Sequence, residues 1–173
     1  IKESLTFKHI QEKESDLFEH LWVDVNVKGQ LYSLNAFYRP PNESMADHSL
    51  FMQEANQILT RLSQHKSDNK VIASDLNFGN CYCKFPLLPP KPLDTSAPEL
   101  FSSFGAKQVI DIPTRITETT TSLIDLIFVF NEDKIQCQGT LPSIADHDGT
   151  FISFHSTQQK PLIQSKTVFD YQS

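Results

Sequence analysis

The chain has no surplus of positive charge: its 173 residues carry 15 Lys and Arg against 21 Asp and Glu, a formal net charge of −6. A protein that coats nucleic acid without selectivity needs a basic stripe to replace phosphate counterions, so that class is excluded. A site that holds a divalent cation among carboxylates is not excluded, because the cation supplies the positive charge that a phosphate meets. Cysteine is scarce and odd in number. Cys81 and Cys83 stand too close for the usual zinc pair and only Cys137 is left over, so the three read as reduced, intracellular thiols. No apolar run approaches the ~20 residues that span a bilayer, and no signal-peptide pattern opens the chain, so no membrane partner is expected. The first residue is Ile1 and not Met, in what reads as the end of a strand, and the expectation is that residues upstream are absent.

What is present suffices for one core. Apolar residues make up 39% of the chain and thirteen are Phe, so one domain over 1–157 is expected, with a linker or tail over 158–173. Leu21, Val23, Val25 and Val27 alternate on one face, Lys28-Gly29-Gln30 makes a turn and 31–38 returns, which predicts a hairpin. Pro40 and Pro41 end the pairing, since proline has no amide hydrogen for a ladder. Over 47–64 the residues Phe51, Ala55, Ile58, Leu59 and Leu62 share one helical face, with Asp47 or Ser49 as the cap. Val71-Ile72-Ala73 makes a short apolar strand over 70–74 that delivers Asp75 to its end. A second helix is signalled by the capping box Ser96-Ala97-Pro98-Glu99 and closed by Gly105. The stretch before it, with Pro86, Pro89, Pro90 and Pro92, reads as a long functional loop. Strands over 108–112, 123–130, 134–138 and 150–155 complete the order, which suggests a layered α/β or α+β sandwich.

Three short strings carry chemistry, each at the end of an apolar run: Ser74-Asp75-Leu76-Asn77, Ser122-Leu123-Ile124-Asp125 and Ala145-Asp146-His147. If those runs are neighbouring strands, two metal-competent carboxylates, an amide and an Asp-supported imidazole come within reach of one another. Such a set suits phosphodiester cleavage. Asp75 can orient or deprotonate a water, and the Asn77 amide can hold a phosphate oxygen without adding charge. His147 can take a proton or stabilise a pentacovalent phosphate once a second group fixes its tautomer. Asp125 is the candidate for that group, because a carboxylate inside the apolar stretch 123–128 needs a partner to offset its desolvation. Each string also has an ordinary reading. The first suits a turn after a strand, Asp146-His147 beside Asp148-Gly149 suits a polar turn, and Asp125 suits the surface of an edge strand.

Phe37-Tyr38-Arg39-Pro40-Pro41-Asn42, Ser74-Asp75-Leu76-Asn77, Gln108 through Ile112-Pro113-Thr114-Arg115, Ser122-Leu123-Ile124-Asp125-Leu126-Ile127-Phe128 and Asp146-His147 occur in that order. Together, over nearly the whole chain, they resemble the endonuclease/exonuclease/phosphatase superfamily, and within it the endonuclease domain of LINE-type (non-LTR) retrotransposons. The resemblance implies a DNase I-like α+β sandwich, a two-sheet core flanked by helices, here N-terminally incomplete. It implies that Asp75 activates water or assists the leaving group, that Asn77 binds phosphate with Tyr38, Arg115 and Ser122, and that Asp125 orients His147. Asp146, with Asp75, would approach a metal, usually Mg²⁺, with Mn²⁺ as an alternative. Ser74 and Ala145 stand where members usually have Gly and Ser, and residues 1–4 resemble a point after the strands that bear an Asn and a metal-ligating Glu.

The expected activity is therefore metal-dependent nicking of target DNA, in the nucleus, so that the freed 3′-hydroxyl primes a reverse transcriptase of the same polyprotein. The alternative is a degenerate or truncated domain that no longer cuts and serves as a binding module. An incomplete sandwich would also expose a strand edge, which predicts self-association.

Overall fold

The computed structural model describes residues 5–10, 15–41, 44–67, 69–78, 92–142 and 145–155. Cys81, Cys83, Pro86, Pro89, Pro90, the first four residues and the expected tail over 158–173 lie outside them.

The expected hairpin forms from β2 (Glu19–Val27) and β3 (Gln30–Tyr38), with β1 (Thr6–Ile10) antiparallel to β2 on its outer side. Its two-residue turn places Lys28 and Gly29 at φ of 53° and 85°, the left-handed values that match the twist of the flanking strands. Helix α1 (Met45–Gln64) then crosses back to β4 (Asn69–Asp75), which lies parallel to β3. The helix starts earlier than the sequence suggested. Ser44 is the cap, with its hydroxyl accepting from the Asp47 amide and the Asp47 carboxylate returning to Ser44, so Asp47 is the third residue of a capping box. Ser49 bonds back to the Met45 carbonyl.

Helix α2 (Pro92–Ser103) also begins before its expected cap. Pro92 is helical, not part of the loop, which is tolerated because a first-turn amide has no partner in the helix. Ser96 therefore lies inside the helix and not at its start, and its hydroxyl meets His48 of α1 at 2.9 Å. Burial of Ala97 and Phe101 carries the helix through Pro98. Gly105, at φ 79°, closes it as expected, and the Ala106 amide returns to the Phe101 carbonyl.

The strands that follow are β5 (Lys107–Gln108), β6 (Arg115–Ile116), β7 (Thr121–Ser122), β8 (Asp125–Val129), β9 (Ile135–Leu141) and β10 (Gly149–Phe154), with a 3₁₀ turn over Glu132–Lys134. β5 is shorter than the expected 108–112, although the Val109 amide still donates to the Ile127 carbonyl beyond its end. The six-stranded sheet runs β1-β2-β3-β4-β8-β5, while β9 and β10 form a second sheet and β6 and β7 a small hairpin.

Both helices cover one face of the large sheet, over Trp22, Phe37, Ile72, Leu126 and Phe128, with Phe101 stacked on Phe128 at 4.5 Å. Which face of β2 is buried is set by this packing. Leu21 and Val23 do share a face, but Leu21 remains 49% exposed while Trp22, on the opposite face, is 3% exposed. The larger ring takes the core. Its neighbour Asp24 is tolerated there because Trp22 and Ser33 donate to one carboxylate oxygen and His65 sits 3.1 Å from the other. The second sheet approaches the other face, where Phe154 meets Tyr32 at 5.5 Å between ring centres. The result is an α+β arrangement of mixed sheets with two helices.

Candidate active site

Three neighbouring strands end in a row. Tyr38 of β3 is the register partner of Asp75 of β4, and Asp75 is the partner of Asp125 of β8. Opposite residues of paired strands share a face, so the three side chains stand on the side away from the helices. Tyr38 is 41% exposed there.

The turn after β4 is clasped by Arg39. The Arg39 amide donates to the Asp75 carbonyl at 2.9 Å, its guanidinium donates to the Leu76 carbonyl at 3.1 Å, and its own carbonyl accepts from the Asn77 side chain at 2.9 Å. The guanidinium is buried over the Phe78 ring at 4.2 Å. Asn77 takes φ 52°, a left-handed value that asparagine tolerates better than most residues. Ser74, where the resemblance has Gly, is not among the positive-φ residues and bonds across to the Leu126 carbonyl at 3.3 Å, so the hydroxyl is accommodated within an ordinary strand.

His147 arrives from another part of the chain. It forms an isolated bridge with Arg115 of β6, which is itself paired with Ser122 of β7. The imidazole Nδ1 lies 3.0 Å from the Asp125 carboxylate. Ligand atoms of Asp75, Asp125 and His147 all fall within 4.8 Å of one another. Asp146 stays outside this triangle. One of its oxygens accepts from Nε and Nη2 of Arg115, each at 3.0 Å, so the loop turns Asp146 to the guanidinium and His147 to Asp125. Asn77 contributes its backbone amide to the Asp75 carboxylate.

The electrostatics separate the two acids. Burial, then the Asp125 charge, raise the Asp75 carboxyl above its ordinary value, against smaller opposing effects of His147, the Asn77 amide and Arg115. The Arg115 hydrogen bond holds the Asp146 carboxyl below the usual carboxylate range. Asp75 also has an orphan: its Oδ1 is buried without a hydrogen-bond partner. A buried carboxylate oxygen that lacks a donor, beside a second carboxylate and an imidazole, is a donor set that fits a hard divalent cation.

Two residues of this region were not singled out from the sequence. Arg39 and Thr114 are buried, at 7% and 0% exposure, and hold the segments that carry Asp75 and Asp125. Their signal was their place inside the Tyr-Arg-Pro-Pro and Pro-Thr-Arg strings; the pairings themselves are long-range.

No family model matches the chain, and no curated protein matches its sequence. Solved structures do match in shape. The endonuclease domain of TRAS1, a telomere-specific non-LTR retrotransposon, superposes with a TM-score of 0.67 at 13% identity, over 87% of this chain and 67% of that one. TDP2 of D. rerio, in complex with a single-strand DNA product, gives 0.55 at 12% identity over 87% of this chain and 69% of that one. The 3′-5′ exonuclease of Neisseria meningitidis gives 0.56 at 10% identity, over 77% and 64%. The chain thus spans about two thirds of the length of these neighbours. Its mixed sheets and two helices share the fold of these solved structures, a non-LTR retrotransposon endonuclease domain among them.

Proposed function

We propose that this chain carries the catalytic strand ends of a divalent-metal-dependent DNA endonuclease from a retrotransposon-like polyprotein, which nicks nuclear target DNA so that the freed 3′-hydroxyl primes reverse transcription. The observation that carries this reading is the Asp125–His147 pair at 3.0 Å, with Asp75 opposite Asp125 on the adjoining strand. DNA as the substrate is supported by the TRAS1 neighbour, an endonuclease domain, and by the TDP2 neighbour in complex with a DNA product.

In this reading Asp125 accepts the Nδ1 proton of His147, which fixes the tautomer and leaves Nε2 for the phosphate. Asp75, with its raised pKa, holds or moves the proton of the attacking water or leaving oxygen. Tyr38, Arg115, Ser122 and the Asn77 amide bind the phosphate from the rim. Asp75, together with Asp125 or His147, would hold Mg²⁺ or Mn²⁺, and Asp146 would join by exchanging Arg115 for the ion. The bound cation would supply charge stabilisation at the phosphoryl oxygens.

The test is nicking of supercoiled plasmid, with the 173 residues and the full reading frame that encodes them assayed side by side. The frame is expected to nick in Mg²⁺, to stop in EDTA and to lose ~10²-fold or more in rate on His147→Ala, the scale for a positioned acid/base group. The isolated chain is expected to cut weakly or not at all, because Asp75 and Asp146 alone make a thin oxygen set for Mg²⁺. If neither nicks and His147→Ala changes nothing, the reading falls and the non-cutting binding module replaces it.

A further inference from the structure

Thr114 joins the two halves of the Asp125–His147 pair through the backbone. Its side chain is fully buried. The hydroxyl Oγ1 accepts from the Ile124 amide at 3.2 Å and from the Asp125 amide at 3.0 Å. Its own amide donates to the Ser122 carbonyl at 3.0 Å, and its carbonyl accepts from the Asp148 amide at 2.6 Å. One residue therefore fastens the end of β7, the start of β8 and the loop that bears His147.

The reason lies in how the sheet ends. β5 pairs with β8 only at Lys107↔Val129 and Gln108↔Phe128, and the last bond on that side runs from the Val109 amide to the Ile127 carbonyl. Beyond it the start of β8 has no strand partner on its outer side among the described residues. Two consecutive amides, one buried and one half-buried, then face the Thr114 hydroxyl in place of a strand carbonyl. Thr114 also precedes Arg115, which bridges to His147 and pairs with Asp146.

We propose that Thr114 is a positioning residue: its hydroxyl and carbonyl together set the distance and angle between Asp125 and His147, and so the imidazole tautomer. This rests on the endonuclease reading for its effect on rate, but not for its effect on the imidazole. A valine keeps the shape and removes the acceptor, whereas a serine keeps the acceptor and removes only a methyl group.

Two measurements on Thr114→Val and Thr114→Ser separate the cases. In the first, long-range ¹⁵N–¹H correlation on the metal-free chain reads which ring nitrogen of His147 carries the proton. Wild type and Thr114→Ser are expected to hold the proton on Nδ1, and Thr114→Val to show a mixture of tautomers. In the second, plasmid nicking in Mg²⁺ by the protein of the full reading frame is expected to fall ~10- to 100-fold in kcat for Thr114→Val, with KM within about twofold, and to return to within about threefold of wild type for Thr114→Ser. Should Thr114→Val fail to fold, Thr114→Cys, whose sulfur is a weak acceptor in the same place, carries both comparisons. A His147 ring that keeps one tautomer in Thr114→Val or Thr114→Cys overturns the proposal. Loss of nicking in every variant and in wild type, with the tautomer shift intact, strikes the endonuclease reading and leaves the positioning role standing.

Discussion

Asp75 and Asp125 stand directly opposite each other on antiparallel strands, and burial, then the charge of the second, push the carboxyl of the first above its ordinary value. The pair is asymmetric. Asp125 has the His147 ring at 3.0 Å, whereas Asp75 keeps a buried oxygen without a donor. Two acids in one row thus have different work available to them: one fixes an imidazole, the other is left open to a water, a cation or a proton.

That asymmetry sets a pH dependence. The Asp75 carboxyl is raised above its ordinary value of 3.8, so the folded protein binds this proton more tightly than the unfolded chain does. Its contribution to stability is full below that ordinary value and is lost as pH rises through the folded one. Asp75→Asn removes the loss. Its melting temperature at pH 7 is expected to exceed wild type, with the difference closing in acid, while nicking falls ~10²-fold or more. Thermal melts across the pH range check the first part, and a wild type more stable than Asp75→Asn at neutral pH would contradict it.

Asp125→Asn puts an amide where the imidazole needs an acceptor for its Nδ1 proton. The amide can turn its NH₂ to the ring and select the other tautomer, so the nicking rate is expected to drop at least as far as for His147→Ala, by ~10²-fold or more. Overall folding should survive, which circular dichroism reads directly.

Arg115 holds the Asp146 carboxyl below the usual range, chiefly through their hydrogen bond. A depressed folded pKa stabilises above the ordinary carboxylate value, and that contribution disappears as pH falls through the folded value. Because the pair is exposed, the change in stability should be small and sensitive to salt. Arg115→Ala should return Asp146 to an ordinary titration, followed by the ¹³C signal of its carboxyl. An unchanged titration in Arg115→Ala would mean that some other group sets the shift.

The core and the helix start make separate predictions in urea. Phe101 is fully buried and stacked on Phe128, so Phe101→Ala should cost about 3–5 kcal/mol. Ser44→Ala should cost about 1 kcal/mol by removing the cap of α1, whereas Ser49→Ala, one turn into the helix, should be near neutral. Equal effects of the two serine variants would return the cap to the alternatives that the sequence left open.

Much of the local structure was legible because it depends on neighbours in the chain. The 3.6-residue spacing of Phe51, Ala55, Ile58, Leu59 and Leu62 defines the buried face of α1, and the Lys28-Gly29 turn closes the hairpin. The residue types of the site were legible too, since Asp75, Asp125 and His147 each follow an apolar run or a turn that can only end at a surface. Tertiary structure decided what those residues face. Which side of β2 is buried depends on where α1 and α2 pack, and side chains alternate with a period of two, so the choice of Trp22 over Leu21 inverts every assignment on the strand. That Asp75 meets Asp125 follows from β8 inserting between β4 and β5, and that Asp146 meets Arg115 while His147 meets Asp125 follows from one loop passing between two strand ends. Pairings between residues far apart in the chain are set by packing and register across the sheet, and no local pattern encodes them.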